Sequence, residues 1–235
     1  MAKYCPIYQR TVLYLDCQEC DNKRECKTGI RKQKRKIVIG IDQSYKNTGI
    51  SIALDGVLKQ ISNLKLSDYK NNSERRKALK DKLNFVFDKF SRMAQNNNYD
   101  LQVIIERIRL TSQGFLNIDY IKSIGALNAL IVDIAYKYHI DVYSVDTRAW
   151  KSAVVGTSKP KENKYGIDPK KWPTLCYLIK EGYENNLLRP VSNRKNKGVV
   201  KIIEGQKYIY DDDAADSACI ALYGFTKNQK LEVEK

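Results

Sequence analysis

Four acidic residues stand at positions where a carboxylate can do chemistry. Asp42 directly follows a short apolar run, and Glu106 closes a second run of the same kind. A carboxylate at the end of a buried strand is costly unless a cation compensates its charge. Asp213 and Asp216 lie three residues apart at the start of a helical pattern, so both project from one face near the positive end of the helix dipole. We expect the four carboxylates to meet.

Converging carboxylates point to a hard divalent cation. Oxygen ligands suit Mg²⁺ or Mn²⁺, and two such ions about 4 Å apart activate a water and stabilise the leaving oxygen in phosphodiester hydrolysis. Each acid alone also has a structural explanation: Asp42 begins a turn, Glu106 pairs with Arg107 or Arg109, and the acidic run 211–213 caps a helix. The metal interpretation is favoured because a chain of net charge +15 places isolated acids at the ends of buried strands.

Other catalytic chemistries lack their residues. The sequence holds one histidine, His139, at the end of a helical pattern, so nucleases that use histidine as a metal ligand or base are disfavoured. No glycine-rich GxxxxGK[ST] loop for a nucleotide phosphate is present, which argues against an ATP-driven motor.

The composition favours a folded protein with a polyanionic partner. Hydrophobic residues make up 43% of the 235 residues and charged residues 29%, a globular balance. Forty-two Lys and Arg against 27 Asp and Glu favour a nucleic acid. No run approaches the ~20 apolar residues of a membrane helix, and the N-terminus lacks the apolar core of a signal peptide. We therefore expect a cytoplasmic protein without a membrane partner.

A cysteine-rich segment precedes the first strand pattern. Cys17 and Cys20 have the two-residue gap that lets two thiolates reach one tetrahedral ion, and Cys5 and Cys26 could complete a structural Zn²⁺ site. The alternative is free or redox-active thiols. Residues 27–36 hold six bases and no acid, which is typical of a solvated linker.

From residue 36 the pattern is that of an α/β domain. Short branched apolar runs predict an opening β-meander, and strands then alternate with helices, as in a mixed sheet with helices on its faces. The domain is placed at 36–228, after an appendage of residues 1–35 and before a polar tail at 229–235. The predicted elements are strands at 37–41, 50–54, 57–66, 101–105 and 140–145, helices at 67–98, 118–138, 172–181 and 212–225, and a basic hairpin within 189–210.

Four segments of this domain resemble motifs of RuvC-type Holliday junction resolvases, which are ribonuclease H-like nucleases. Their order and spacing agree with that family over about residues 36–226. The cysteine-rich start and the basic insert at 189–210 depart from the short bacterial pattern and suggest a bacteriophage or mobile-element variant. The segments are Ile39-Gly40-Ile41-Asp42 with Thr48-Gly49, Ile104-Ile105-Glu106, Trp150-Lys151-Ser152-Ala153-Val154-Val155-Gly156, and Asp213-Ala214-Ala215-Asp216-Ser217-Ala218.

The resemblance implies a ribonuclease H-like fold in which the four acids bind two Mg²⁺ (or Mn²⁺) ions. Lys151 would then assist at the scissile phosphate, the alternative being a surface charge on a short helix. Family members carry a second lysine shortly after the glycine of that motif, and the candidates here are Lys159, Lys161 and Lys164. The aromatic residue that probes opened bases would be Phe115.

The activity implied is the nicking of branched DNA, with Holliday junctions resolved by paired symmetric cuts through metal-activated water. Because a four-way junction has approximate two-fold symmetry, a homodimer is expected, with the helix at 118–138 as its contact. Arg194, Lys195 and Lys197 in the basic insert are further candidate DNA contacts. Two alternatives stay open: a DNA-binding protein whose acids are only structural, and a ribonuclease H-like enzyme that acts on RNA or RNA–DNA hybrids.

Overall fold

A computed structural model of the chain divides into two compact units, residues 1–35 and 36–235. It describes residues 2–5, 10–13, 35–107, 118–192, 198–227 and 229–234, with the side chains at 2–5, 10–13 and 118–120 left undescribed. In the first unit, β1 (Ala2–Cys5) pairs antiparallel with β2 (Arg10–Leu13). Three predicted zinc ligands, Cys17, Cys20 and Cys26, lie outside the described residues, as does the side chain of Cys5. The zinc site therefore stays a prediction.

The second unit is built on nine strands and six α-helices among its described residues. Its strands are β3 (Lys36–Asp42), β4 (Asn47–Leu54), β5 (Val57–Lys65), β6 (Asp100–Glu106), β7 (Asp141–Val145), β8 (Leu188–Val191), β9 (Lys201–Ile203), β10 (Gln206–Tyr210) and β11 (Glu232–Val233). Its helices are α1 (Asn72–Asn97), α2 (Ile118–Lys137), α3 (Thr147–Trp150), α4 (Trp172–Lys180), α5 (Glu184–Leu187) and α6 (Asp212–Tyr223).

A six-stranded mixed sheet in the order β11-β7-β6-β3-β4-β5 forms the centre of this unit. β3, β4 and β5 form the predicted antiparallel meander, while β3, β6 and β7 run parallel. The parallel register pairs Ile41 with Ile105 and Glu106 with Val145, so the carboxyl ends of these three strands meet at one edge. The predicted α/β class, a mixed sheet flanked by helices, is confirmed.

Helices cover both faces of the sheet because its central strands are apolar on both sides. Side chains alternate along β3, so Ile39 packs with α1 and α2 while Val38 packs with α6. α2 places Ile124, Leu127 and Ile131 in this core. Packing in the core therefore explains these apolar residues of α2 without the predicted dimer contact.

Element ends follow local polar contacts. The helix predicted to start at residue 67 begins as α1 at Asn72, because the side chain of Asn71 accepts a hydrogen bond from the Glu74 backbone N–H (2.9 Å) and caps it. A 3₁₀ turn, Leu66–Asp68, comes before it. The structure also differs from the predicted polar tail, since β11 pairs antiparallel with β7 at the sheet edge.

The basic insert forms a separate three-stranded sheet in the order β8-β10-β9. β9 and β10 form a hairpin across Glu204 and Gly205, whose positive φ values of 48° and 78° suit a tight two-residue turn. Arg194, Lys195 and Lys197 lie outside the described residues. The described helices include none with the length and apolar character needed to cross a bilayer.

Candidate active site

Three aspartates surround one ammonium group at the carboxyl edge of the sheet. Lys171 Nζ lies 2.7 Å from Asp216 Oδ2, 3.6 Å from Asp213 Oδ1 and 3.7 Å from Asp42 Oδ2. Asp42 ends β3, and the other two acids project from the first turns of α6. The structure thus brings together three of the four acids expected to meet, from two separate elements.

Glu106, the fourth acid, ends β6 beside Asp42. Gln43 ties the two strand ends together: its side-chain amide donates to the Glu106 carbonyl, and its Oε1 accepts from the Glu106 backbone N–H at 3.3 Å. The Thr147 hydroxyl donates to Glu106 Oε1. These contacts fix the carboxylate of Glu106 at the same sheet edge as Asp42. Sequence reasoning missed both Gln43 and Thr147.

Two glycines let helix α6 approach the sheet closely enough to deliver its acids. A Cβ at Gly49 would lie 2.1 Å from the Asp213 carbonyl oxygen, and one at Gly40 would lie 2.3 Å from the Ser217 carbonyl oxygen. Either distance is far below van der Waals contact. Gly40 and Gly49 therefore set the separation between α6 and the end of β3.

Asp211 caps α6 and is distinct from the converging acids. Its carboxylate accepts from the Ala214 backbone N–H at 3.1 Å and from Asn63 Nδ2 at 2.8 and 2.9 Å. Possible ligand atoms of Asp211, Asp212 and Asp213 all lie within 4.8 Å of one another. Asp211 is thus engaged in capping, whereas Asp213 faces Lys171.

The electrostatics of the site show an excess of negative charge. Burial raises the pKa of Asp42 well above its usual value; Lys171 opposes the shift, and the neighbouring acids add to it. Burial likewise raises the pKa of Glu106, against the Thr147 hydrogen bond, and raises that of Asp213 to about 6. For Lys171 burial lowers the pKa, but the surrounding aspartates outweigh it and the pKa rises.

These residues fit a divalent cation. The donors are carboxylate oxygens, the hard ligands that Mg²⁺ and Mn²⁺ prefer. Asp216 Oδ1 is buried and has no hydrogen-bond partner among the described residues, although Oδ2 of the same group pairs with Lys171. This oxygen is therefore available to a cation.

Lys151 is a buried residue rather than a surface charge. It is 7% exposed, begins the π-helical turn Lys151–Val155, and donates from Nζ to the Lys170 carbonyl at 3.0 Å. Its charge also acts on Glu106. Lys151 therefore holds the backbone next to Lys171 while lying near the acids.

The lysine that reaches the acids is not one of the three predicted from the sequence. Lys159, Lys161 and Lys164 are exposed on the loop 157–171, whereas Lys171 at its end lies among the aspartates. The loop folds back on itself through a hydrogen bond from the Lys161 N–H to the Pro169 carbonyl (2.9 Å). Because the loop folds back, Lys171 reaches the site although it lies further along the chain than the three predicted lysines.

An aromatic group anchors the end of this loop. Trp172, which follows Lys171, has its ring centroid 5.7 Å from that of Tyr165 and 6.4 Å from that of Tyr210. Tyr210 precedes the N-cap of α6. The loop and α6 are thus packed together at the residues that carry the lysine and two acids. Phe115, the predicted stacking residue, lies outside the described residues.

Comparisons with known proteins give structural neighbours only. No protein-family model matches the sequence, and no curated protein matches it. RuvC of Thermus thermophilus is 17% identical with a TM-score of 0.48, over 80% of this chain and 93% of that one. The structure of Thermus thermophilus RuvC in complex with a Holliday junction substrate is 14% identical with a TM-score of 0.48, over 81% of this chain and 93% of that one.

A further neighbour is the yeast mitochondrial Holliday junction resolvase. It is 15% identical with a TM-score of 0.40, over 80% of this chain and 76% of that one. All three similarities are weak in sequence and in superposition. A proposal of function must therefore depend on this chain's own residues.

Proposed function

We propose that this protein is a metal-dependent endonuclease of the ribonuclease H-like class that nicks branched DNA and resolves four-way junctions by paired cuts. The observation that carries the proposal is the convergence of acidic side chains around Lys171, with the buried Asp216 Oδ1 left without a partner. A buried carboxylate oxygen without a hydrogen-bond partner, among acids that converge on one point, supports a bound cation there.

Asp42, Glu106, Asp213 and Asp216 would hold the metal, in the proposal two Mg²⁺ or Mn²⁺ ions. When bound, such ions supply an activated water and stabilisation of the leaving oxygen in phosphodiester hydrolysis. The protein contributes fixed positions for these carboxylates, since strand ends and a closely packed helix hold them.

The lysines of the site supply positive charge where a scissile phosphate would lie. Lys171, 26% exposed, contacts three of the acids and can face a phosphate oxygen from among them. Lys151 keeps the adjoining backbone in place through the Lys170 carbonyl. Thr147 orients Glu106 and opposes the rise of its pKa, so that the carboxylate form stays available.

Branched DNA as the substrate is supported by charge and by motif. A net charge of +15 favours a polyanion, and four segments in order resemble the junction resolvases. Paired cuts would require a homodimer, because the two strands cut in a four-way junction are related by approximate two-fold symmetry. Tyr136 on α2 is 80% exposed and Phe85 on α1 64%, so these helices have apolar groups available for a partner subunit.

The proposal is tested by strand cleavage with Mg²⁺ on three labelled substrates: a four-way junction, a linear duplex of the same sequence and an RNA–DNA hybrid. We expect nicks at symmetric positions in the junction and little cutting of the duplex. Asp42→Asn should lower the rate by at least about 10²-fold, the order found when one electrostatic contact to the reacting group is lost. Asp81→Asn, which changes an exposed acid on α1, is the matched control.

Two outcomes would contradict the proposal. If the protein binds the junction but never nicks it, and Asp42→Asn behaves like the wild type, the acids are structural and the protein only binds DNA. If the hybrid is cut and the junction is not, the protein belongs with the enzymes that act on RNA–DNA hybrids.

A further inference from the structure

The hairpin formed by β9 and β10 exposes two adjacent isoleucines. Ile202 is 62% exposed and Ile203 39%, and they directly precede the tight turn at Glu204 and Gly205. Because successive side chains of a strand point to opposite faces, the two isoleucines present apolar surface on both sides of the hairpin end. The β9 strand is exposed along its whole length.

Two lysines, Lys201 and Lys207, lie beside this apolar tip. Residues 189–210 hold six bases and a single acid, Glu204, so this short segment supplies a large part of the net charge of +15. Lys201 precedes the isoleucines, and Lys207 stands directly opposite Ile202 in the β9–β10 register. The surface therefore combines apolar contact with attraction for a polyanion.

The hairpin is joined directly to the candidate active site. β10 runs into Asp211, which caps α6 and is tied to β5 through Asn63. Gln206, at the other end of β10, lines a groove of about 530 Å³ together with Lys65 and Arg189. At ~3.3 Å per residue the turn lies roughly 20 Å along the strand from Asp211. A nucleic-acid strand spans that distance in about six nucleotides.

We propose that the β9–β10 hairpin is a wedge that recognises the branch point of DNA. Ile202 and Ile203 pack against bases that are unstacked at the branch, and Lys201 and Lys207 attract the adjoining phosphates. Apolar side chains inserted at a base step are an established way to hold distorted DNA. The proposal rests on the proposed function and adds the element that distinguishes branched from linear DNA.

The same surface suits a second protein chain less well. An edge strand that recruits another chain is usually longer and less charged, whereas β9 has three residues and includes Lys201. Lys201 and Lys207 would repel the same lysines of a second copy of this surface. A polyanion with apolar faces, as bases present at a branch, satisfies both the charge and the apolar contact.

The test is a double variant, Ile202→Thr with Ile203→Thr, which keeps the β-branched shape and removes apolar surface. Val57→Thr is the matched control, because Val57 is 48% exposed and also adjoins a positive-φ turn, Asp55–Gly56. Val57 lies at the end of the central sheet away from Asp42. The probe is a four-way junction carrying 2-aminopurine beside the crossover, with a linear duplex for comparison. Its fluorescence reports both binding and base unstacking.

The double variant should bind the junction about tenfold more weakly than the wild type, the order expected for the loss of base contacts. It should lose the fluorescence increase, bind the linear duplex unchanged and melt like the control. If the wild type and the double variant bind the junction equally and with equal fluorescence, the wedge is refuted. The proposed function still stands in that case, provided that the wild type cuts the junction. If the wild type neither binds nor cuts branched DNA, both proposals fail.

Sedimentation distinguishes the other class of partner. If the double variant changes only the oligomeric state and not junction binding, the surface is a contact between protein chains and the wedge is wrong. Ile202→Thr alone serves in place of the double variant if the latter fails to fold, with the same expected direction.

Discussion

Replacing Lys171 by methionine removes an ammonium that contacts three aspartates. Its side chain is 26% exposed and that of Asp216 only 5%, so the ion pair lies largely out of water. Methionine has a similar length and keeps the apolar stem in place. The substitution therefore isolates the charge, and it leaves buried carboxylates that no lysine contact compensates.

The expected loss of stability follows from the burial of that pair. Removing one partner of a buried ion pair costs about 3–5 kcal/mol, and the partial exposure of Lys171 puts the expectation near the lower figure. For a chain of this length about 3 kcal/mol corresponds to a fall in Tm of roughly 6–12 °C. This loss applies to metal-free protein near pH 8.

Metal should restore much of the loss, because a divalent cation supplies the charge that Lys171 supplied. At a free Mn²⁺ concentration of 100 times Kd, binding stabilises the folded protein by about 2.7 kcal/mol. The wild type gains less, since its ammonium competes for the same oxygens. Urea unfolding with EDTA and with Mn²⁺ measures both differences.

Lys159→Met is the control, because Lys159 is an exposed lysine of the same loop and its loss should change stability by less than about 0.5 kcal/mol. Lys171 does not balance the buried acids if Lys171→Met is as stable as this control without metal. Mn²⁺ does not replace its charge if the deficit of Lys171→Met stays the same in saturating Mn²⁺.

Three further outcomes are expected. Burial raises the pKa of Asp213 to about 6, so the stability tied to its neutral form is fully present below about pH 4 and is lost as pH rises through 6. The free energy of unfolding of EDTA-treated protein should therefore fall over this range, and Asp213→Asn should weaken the fall. Gly49→Ala should cost about 1–3 kcal/mol and lower cleavage, because a Cβ there would lie 2.1 Å from the Asp213 carbonyl oxygen; Gly125→Ala, with open space around it, should not. Thr147→Val should move the acid limb of the pH–rate profile to higher pH, because Glu106 loses the hydrogen bond that opposes its raised pKa; an unchanged profile would contradict that role.

The strand ends that carry Asp42 and Glu106 could be predicted from the sequence. Both acids follow apolar runs buried on two faces, and parallel strands bring their carboxyl ends to one edge. The acids of α6 were equally clear, since their spacing fixes a shared helix face. These features are local in the chain, and sequence patterns report local structure well.

The role of Lys171 could not be predicted because it depends on how a loop returns to the site. Asn163 holds the return: its Oδ1 accepts from the backbone N–H groups of Tyr165 and Ile167 at 3.0 and 3.1 Å. The sequence offered Lys159, Lys161 and Lys164 instead, and the structure leaves all three exposed. One indication of Lys171 was present in the sequence, its place directly before Trp172 at the start of α4.

β11 was missed for a related reason. Two residues give no alternating pattern, and the strand exists because its backbone pairs with β7. Arg107 forms an ion pair with Glu232 at 2.6 Å. The structural explanation of Glu106 had paired Arg107 with Glu106 instead. Contacts between distant segments of the chain decided both features.

The most direct test of the metal centre is Mn²⁺ binding measured by titration calorimetry on the wild type, Asp216→Asn and the exposed control Asp81→Asn. We expect the wild type and the control to bind alike and Asp216→Asn to bind at least about tenfold more weakly, since a buried carboxylate ligand is lost. Equal binding by all three proteins would show that these carboxylates are not the metal ligands.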